Sequence, residues 1–377
     1  MNRQKGLLFP PRAEFPYRAA EFSHTARINS LGFRGPEWAP GPDSTRILAI
    51  GDSFTFGMGV EEEQSWTRIL EQELRSRGHD VRIANLGRPG ADPLDYLDAA
   101  TRAIPLLEPD LVLVAVLQGD DPSQVLRRLR TGTLTSETPG RKAFRSLATR
   151  LYPNTFRLLA EEKRNLNFRS GKRQLDAIWK EQAAQMLADL DNIRKERFGK
   201  MSSSVREMFL QGRLNPGIVS IALADPDYFT APLRTSDPEV RKALQVIRES
   251  LESIQKSAAP APLVVVSVPP GSYVSDEVLR GRGEMGFTVS SDMLRTSAPD
   301  AALEEICRVI HTPCLTVTDS FRRENRTSPL YYKYDGHFNA RGHEVFARLL
   351  RPKLEALLLS LPSAQKKRIR PHTRPDP

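Results

Sequence analysis

Ile47-Leu48-Ala49-Ile50-Gly51-Asp52-Ser53-Phe54-Thr55-Phe56-Gly57 is a short apolar run that stops at a glycine and passes into a turn. A run without alternation is what a strand buried on both faces of a parallel sheet requires. Trp66, Ile69, Leu70 and Leu74 follow at helical spacing, and Val81 to Leu86 reads as a second strand. Leu111 to Leu117 is a third, and Leu263 to Val268, closed by Pro269-Pro270, is a fourth. Cys314-Leu315-Thr316-Val317 is a short fifth. Strand and helix signals alternate, so the expected fold is α/β: a doubly wound, mostly parallel five-stranded sheet with a helical insert.

Around that core the chain divides into regions. Residues 1–45 are rich in Pro, Arg and aromatics without regular periodicity and read as an arm laid over the body. Residues 46–122 and 236–361 are the two halves of the α/β domain, separated by a basic helical insert at 123–235. Residues 362–377 are expected to be a disordered basic tail. In the insert, Ile178, Met186, Leu187, Leu190 and Ile193 fall on one helical face. Asp237-Pro238-Glu239 opens a helix with a capping carboxylate and a proline at its first position. Val240, Leu244, Ile247, Leu251 and Ile254 then form its apolar stripe.

Of the 377 residues 39% are hydrophobic and 27% charged, the balance of a globular protein. The longest apolar run, Leu111 to Leu117, is far short of the roughly 20 residues that span a bilayer. Two cysteines, Cys307 and Cys314, exclude a disulfide scaffold and a multi-cysteine zinc site. The start has no apolar stretch of signal-peptide length, so as written the chain is expected in the cytoplasm. A leader missing before Met1 would place it in the cell envelope instead.

The net charge of +9 is unevenly placed. Pro122 to Arg173 has 13 basic and 3 acidic residues, a net of +10. Lys366 to Pro377 adds a net of +4, which leaves the remainder at −5. Insert and tail are therefore candidates for contact with an anionic surface, beside the plainer reading of a solvated face and a loose end. The aromatics of the basic stretch, Phe144, Tyr152, Phe156 and Phe168, are too few for base stacking and argue against nucleic acid.

In doubly wound sheets ligands sit outside the carboxyl ends of the strands. After the first strand, Ser53 lies on the turn into a helix, where backbone N–H groups can stabilise an oxyanion. After the second comes Asn85-Leu86-Gly87-Arg88-Pro89-Gly90, after the third Gln118-Gly119-Asp120-Asp121. Near the carboxyl end, Asp335-Gly336-His337 puts a carboxylate two residues from an imidazole, able to orient it as a base for Ser53. Each piece alone also reads as an ordinary turn or loop. A metal cluster of Asp52, Asp335 and His337 is an alternative, but covalent catalysis better explains the serine among them, so no metal and no cofactor are expected. The glycine-containing loop lacks the Lys-Ser/Thr ending of a P-loop. Asp52, Gln118, Asp121, Ser272 and Tyr273 are candidate cleft-lining residues. His24, His79, His311, His343 and His372 have no comparable context and read as structural or surface residues.

Taken in this order, the pieces resemble the SGNH/GDSL hydrolase family, whose core is flavodoxin-like and three-layered. The resemblance implies Ser53 as nucleophile, His337 and Asp335 as base and acid of a triad, and Ser53, Gly90 and the Asp120 position around the oxyanion. Asn29-Ser30-Leu31-Gly32-Phe33-Arg34-Gly35 and Leu330-Tyr331-Tyr332 resemble a bacterial branch associated with surface polysaccharides. It implies a serine esterase on an O-acylated carbohydrate or another small ester, or an O-acyltransferase on the same class. Two features depart from the family. Asp-x-His replaces the commoner Asp-x-x-His, and Asp120 stands where the family has an asparagine that donates to the oxyanion. An ionised carboxylate cannot donate. Either burial keeps Asp120 protonated, Gln118 takes its place, the Ser53 and Gly90 N–H groups suffice, or the chain is a weakened glycan-binding or assembly module.

Overall fold

The computed structural model describes residues 6–132 and 175–360. Five parallel strands, β3 (Thr45–Gly51), β4 (Val81–Gly87), β5 (Leu111–Leu117), β6 (Leu263–Val268) and β7 (Cys314–Leu315), lie in the order β4-β3-β5-β6-β7. The chain leaves β3 to one side and returns to its other side, so the switch point of the sheet falls at the carboxyl ends of β3 and β5. The fold is the α/β sheet expected from the alternating signals. Both faces are covered, as the unbroken apolarity of the strands demands. Leu48, Ile50, Val112 and Val114 face the helices Pro93–Leu107 and Pro238–Ala258. Ile47, Ala49, Leu113 and Ala115 face the helices Trp66–Ser76 and Ala340–Ser360.

The arm is more regular than expected. β1 (Glu14–Arg18) and β2 (Ser23–Arg27) form an antiparallel hairpin in which Phe15, Tyr17, His24 and Ala26 alternate inward. Beyond the hairpin, Arg34 is 0% exposed and reaches under the serine turn. It donates to the carbonyls of Phe56 at 2.8 Å, Gly57 at 2.6 Å and Val60 at 2.6 Å, so the Asn29–Gly35 stretch serves as the anchor of that turn. From the other side Gly87, ending β4, admits the turn: a Cβ there would stand 2.0 Å from the Phe56 nitrogen.

Two expectations need correction. The stripe from Ile178 to Ile193 is not one face, because the helix Leu175–Ala188 stops and a new one, Asn192–Lys200, starts with Asp191 capping the Arg194 N–H at 2.8 Å. Leu190 is buried while Ile193 is 64% exposed. The helix Asp120–Arg130 also runs through the boundary drawn at residue 122, with Val125 and Leu126 buried in the sheet core. The described part of the insert packs Val205, Phe209, Val219 and Leu223 against Tyr273, Leu279 and Met285, downstream of β6. The four aromatics of the basic stretch, and the tail at 362–377, lie outside the described residues.

Replacing Arg34 by leucine leaves three buried carbonyls without their charged donor, and is predicted to cost about 3 kcal/mol or more. Urea denaturation of Arg34→Leu checks this; a loss below about 1 kcal/mol would mean the carbonyls find other donors.

Candidate active site

Ser53 opens the one-turn helix Ser53–Phe56 directly after β3. Asp52 caps that helix, its Oδ1 accepting from the Phe54 N–H at 2.9 Å, while the Ser53 N–H, as first helical residue, has no intrahelical acceptor. His337 arrives from the loop before the C-terminal helix, and its Nε2 lies 2.6 Å from Ser53 Oγ. Its Nδ1 hydrogen-bonds Asp335 Oδ1. The ring stacks at a tilt on Phe54, centroids 4.9 Å apart, which limits its swing. Burial disfavours the imidazolium, but the Asp335 carboxylate, helped by Asp52 and Asp120, outweighs it and raises the His337 pKa. Burial likewise works to raise Asp335, and the neighbouring His337 reverses it, leaving that carboxyl below its usual range.

The loop carrying Asp335 is held on both edges. Glu21, in the turn of the β1–β2 hairpin, accepts from the N–H groups of Tyr334 at 2.9 Å and Asp335 at 2.7 Å. Arg282 donates to the carbonyls of the same two residues, at 2.8 and 3.0 Å. Gly336 has φ +85°, and a Cβ on it would collide with the Arg282 guanidinium at 1.9 Å. The spacing of one residue between acid and base thus depends on a glycine.

A cavity of about 280 Å³ opens over Ser53 and His337. Gly90, Asp120, Asp52 and Ser272 line it with Asp335, and Leu214, Ile218, Ile221 and Phe229 bring the insert over it. Gln118, Asp121 and Tyr273, expected at the cleft, are turned away from it. The Gln118 amide nitrogen lies 2.6–2.8 Å from Ser267 Oγ, Asp300 Oδ1 and Thr318 Oγ1, which share its two N–H bonds, so it is committed on the far side of β6 and is not aimed at an oxyanion. Asp121 receives the Tyr96 hydroxyl and the Leu117 N–H beneath its helix. Tyr273 is buried in the seam with the insert and donates to the Phe229 carbonyl at 2.8 Å.

Asp120 faces the cavity on one side and protein on the others. Burial raises its pKa against the opposing pull of Arg282, His337 and Tyr228. Asp52 is pushed up to about 7, chiefly by burial, with Asp120 adding to the rise. Among the described residues no group of three or more His, Cys, Asp or Glu is placed to hold a metal. His24 is buried and stacked on Tyr17, His79 pairs with Glu355, and His343 accepts the Trp66 N–H; none of these lines the cavity. Glu21, Arg34 and Arg282 were not legible as site residues, since their partners lie far away in sequence. Gln124 and Arg127, also on the wall, could have been found from their helical spacing with Asp120.

Residues 47–350 match the model of the GDSL-like lipase/acylhydrolase family, and the chain belongs to that family. Esterase TesA of Pseudomonas aeruginosa is similar at 26% identity over 113 residues, 29% of this chain. The matched stretch spans 56% of that relative, little more than half its length. Among solved structures, the lipase/acylhydrolase from Enterococcus faecalis superposes with a TM-score of 0.40 at 12% identity, covering 83% of this chain and 96% of that one. The crystal structure of TesA gives a TM-score of 0.41 at 11% identity, covering 83% and 99%.

A carboxyl whose pKa is raised on folding binds its proton more tightly in the native state. The resulting stabilisation is complete below the ordinary value of 3.8 and is lost as pH rises through about 7 for Asp52. Asp52→Asn, which keeps an acceptor for the Phe54 N–H, is therefore predicted to flatten the decline in stability across that window relative to wild type. Denaturation midpoints at a series of pH values check this, and parallel curves would place the titrating proton elsewhere.

Proposed function

We propose that the protein is a serine-dependent ester hydrolase acting on an O-acylated glycan or a similar ester. The observation that carries the reading is the continuous line from Ser53 Oγ to His337 Nε2, at 2.6 Å, and from His337 Nδ1 to Asp335, at the floor of an open cavity. His337 takes the serine proton as Ser53 Oγ bonds to the acyl carbonyl carbon, and gives it to the departing alcohol. Asp335 holds the tautomer with Nδ1 protonated. Water, activated by the same imidazole, then releases the acid and restores the serine. A sugar hydroxyl in place of water would make the same site an O-acyltransferase. The glycan assignment rests on the likeness of Asn29–Gly35 and Leu330–Tyr332 to the polysaccharide-associated branch.

The oxyanion is held by the N–H groups of Ser53 and Gly90, and by Asp120 while its carboxyl is protonated. Turnover then rises with pH as His337 becomes neutral, and the donor at position 120 is lost wherever the Asp120 carboxyl ionises. Asn at position 120 donates at every pH, so Asp120→Asn is predicted to lift turnover on the alkaline side. One oxyanion donor is worth about 10²–10³ in rate, which sets the ceiling of that gain.

Labelling by a fluorophosphonate, with peptide mapping, tests the reading. Wild type is expected to be labelled at Ser53 and Ser53→Ala not at all. Labelling of Asp120→Asn alone would identify a site silenced by Asp120, the glycan-binding module. No labelling of either would overturn the mechanism.

A further inference from the structure

The helix Asp120–Arg130 carries Asp120, Gln124 and Arg127 at i, i+4 and i+7, and all three line the cavity over Ser53. Asp120 stands at the reactive end. Arg127 is exposed at the other, about 10 Å further along at 1.5 Å per residue. Its neighbours on the helix are neutralised: Arg128 pairs with Asp92 and Asp95, and Arg130 with Glu239. Among the described residues Arg127 has no carboxylate partner and its guanidinium no hydrogen bond. Across the cavity, Ile218 and Ile221 at i, i+3 on the helix Pro216–Ala224, with Leu214 before it, form an apolar wall. A charge facing such a wall is less screened than one in open water.

We propose that this cavity takes an ester whose alcohol portion carries an anionic group, a carboxylate or a phosphate, about 10 Å from the scissile carbonyl, and that Arg127 recognises that group. The proposal rests on the ester-hydrolase reading and deepens it. Asp52, Asp120 and Asp335 gather at the reactive end, where the other cavity arginine, Arg282, is already bound to carbonyls. An anion therefore meets an uncommitted guanidinium only at the mouth, so the placing of Arg127 also sets which way the substrate enters.

The test compares an acetylated oligogalacturonide with its carboxyl-reduced, neutral counterpart. Wild type is expected to favour the charged sugar by roughly fivefold in kcat/KM, carried by KM and weakened by salt. Arg127→Gln is expected to lose that preference, with a much smaller change in the hydrolysis of 4-nitrophenyl acetate, which is too short to reach residue 127. A matching phosphorylated sugar separates carboxylate from phosphate recognition. Equal kcat/KM for the two sugars in wild type, or the same preference in Arg127→Gln, would overturn the proposal. If wild type cleaves neither sugar nor 4-nitrophenyl acetate, the hydrolase reading fails. Calorimetric binding of both sugars to Ser53→Ala, with and without Arg127→Gln, still decides the charge preference in that case.

Discussion

The peptide groups at Tyr334 and Asp335 are gripped on both edges, N–H by Glu21 and C=O by Arg282, and the rest of the site depends on that grip. Ser53 and His337 are separated by 284 residues, so no local preference brings them together. The serine side is fixed by Arg34 beneath the turn after β3, the histidine side by Glu21 and Arg282. Two of these three groups, Glu21 and Arg34, come from the segment ahead of the sheet. The arm is thus a structural part of the candidate catalytic machinery, and it supplies charge-assisted hydrogen bonds where an apolar contact would leave backbone groups unsatisfied.

A second constraint is electrostatic. Asp52, Asp120 and Asp335 crowd one end of the cavity, with Asp121 directly behind. They cannot all ionise cheaply in a dry setting, so their pKa values separate. Asp335, paired with His337, stays low, whereas burial raises Asp52, Asp120 and Asp121. The Asp335 carboxylate, the one that stays ionised, favours the imidazolium of His337, which suits a base that must hold a proton between two steps. Burial also gives a physical setting in which the Asp120 carboxyl is held towards its protonated form against the cavity.

Much of the sheet was legible because doubly buried strands leave an unbroken apolar trace, as in Leu111–Leu117. The Ser53, Asp335 and His337 positions were legible because short strand-to-loop words carry them. The hairpin at Glu14–Arg27 was missed although Phe15, Tyr17, His24 and Ala26 alternate, since its prolines and charges mask a period of two. Gln118 was misplaced because a strand end does not reveal which way a side chain leaves; its amide satisfies Ser267, Asp300 and Thr318 instead. Glu21 and Arg282 left no trace, because a hydrogen-bond partner 52 to 314 residues away has no local pattern. The insert's place over the cavity was equally closed, since an apolar stripe states that a helix packs but not against what.

The most direct measurement is the mass of the protein and its peptides after rapid mixing with 4-nitrophenyl acetate and acid quenching. The account predicts a burst of nitrophenol with one acetyl group on Ser53, and a smaller, slower burst in Glu21→Gln, where the grip on the Asp335 loop is loosened. Steady nitrophenol release with no acetyl on Ser53, or an acetyl confined to another residue, would contradict it.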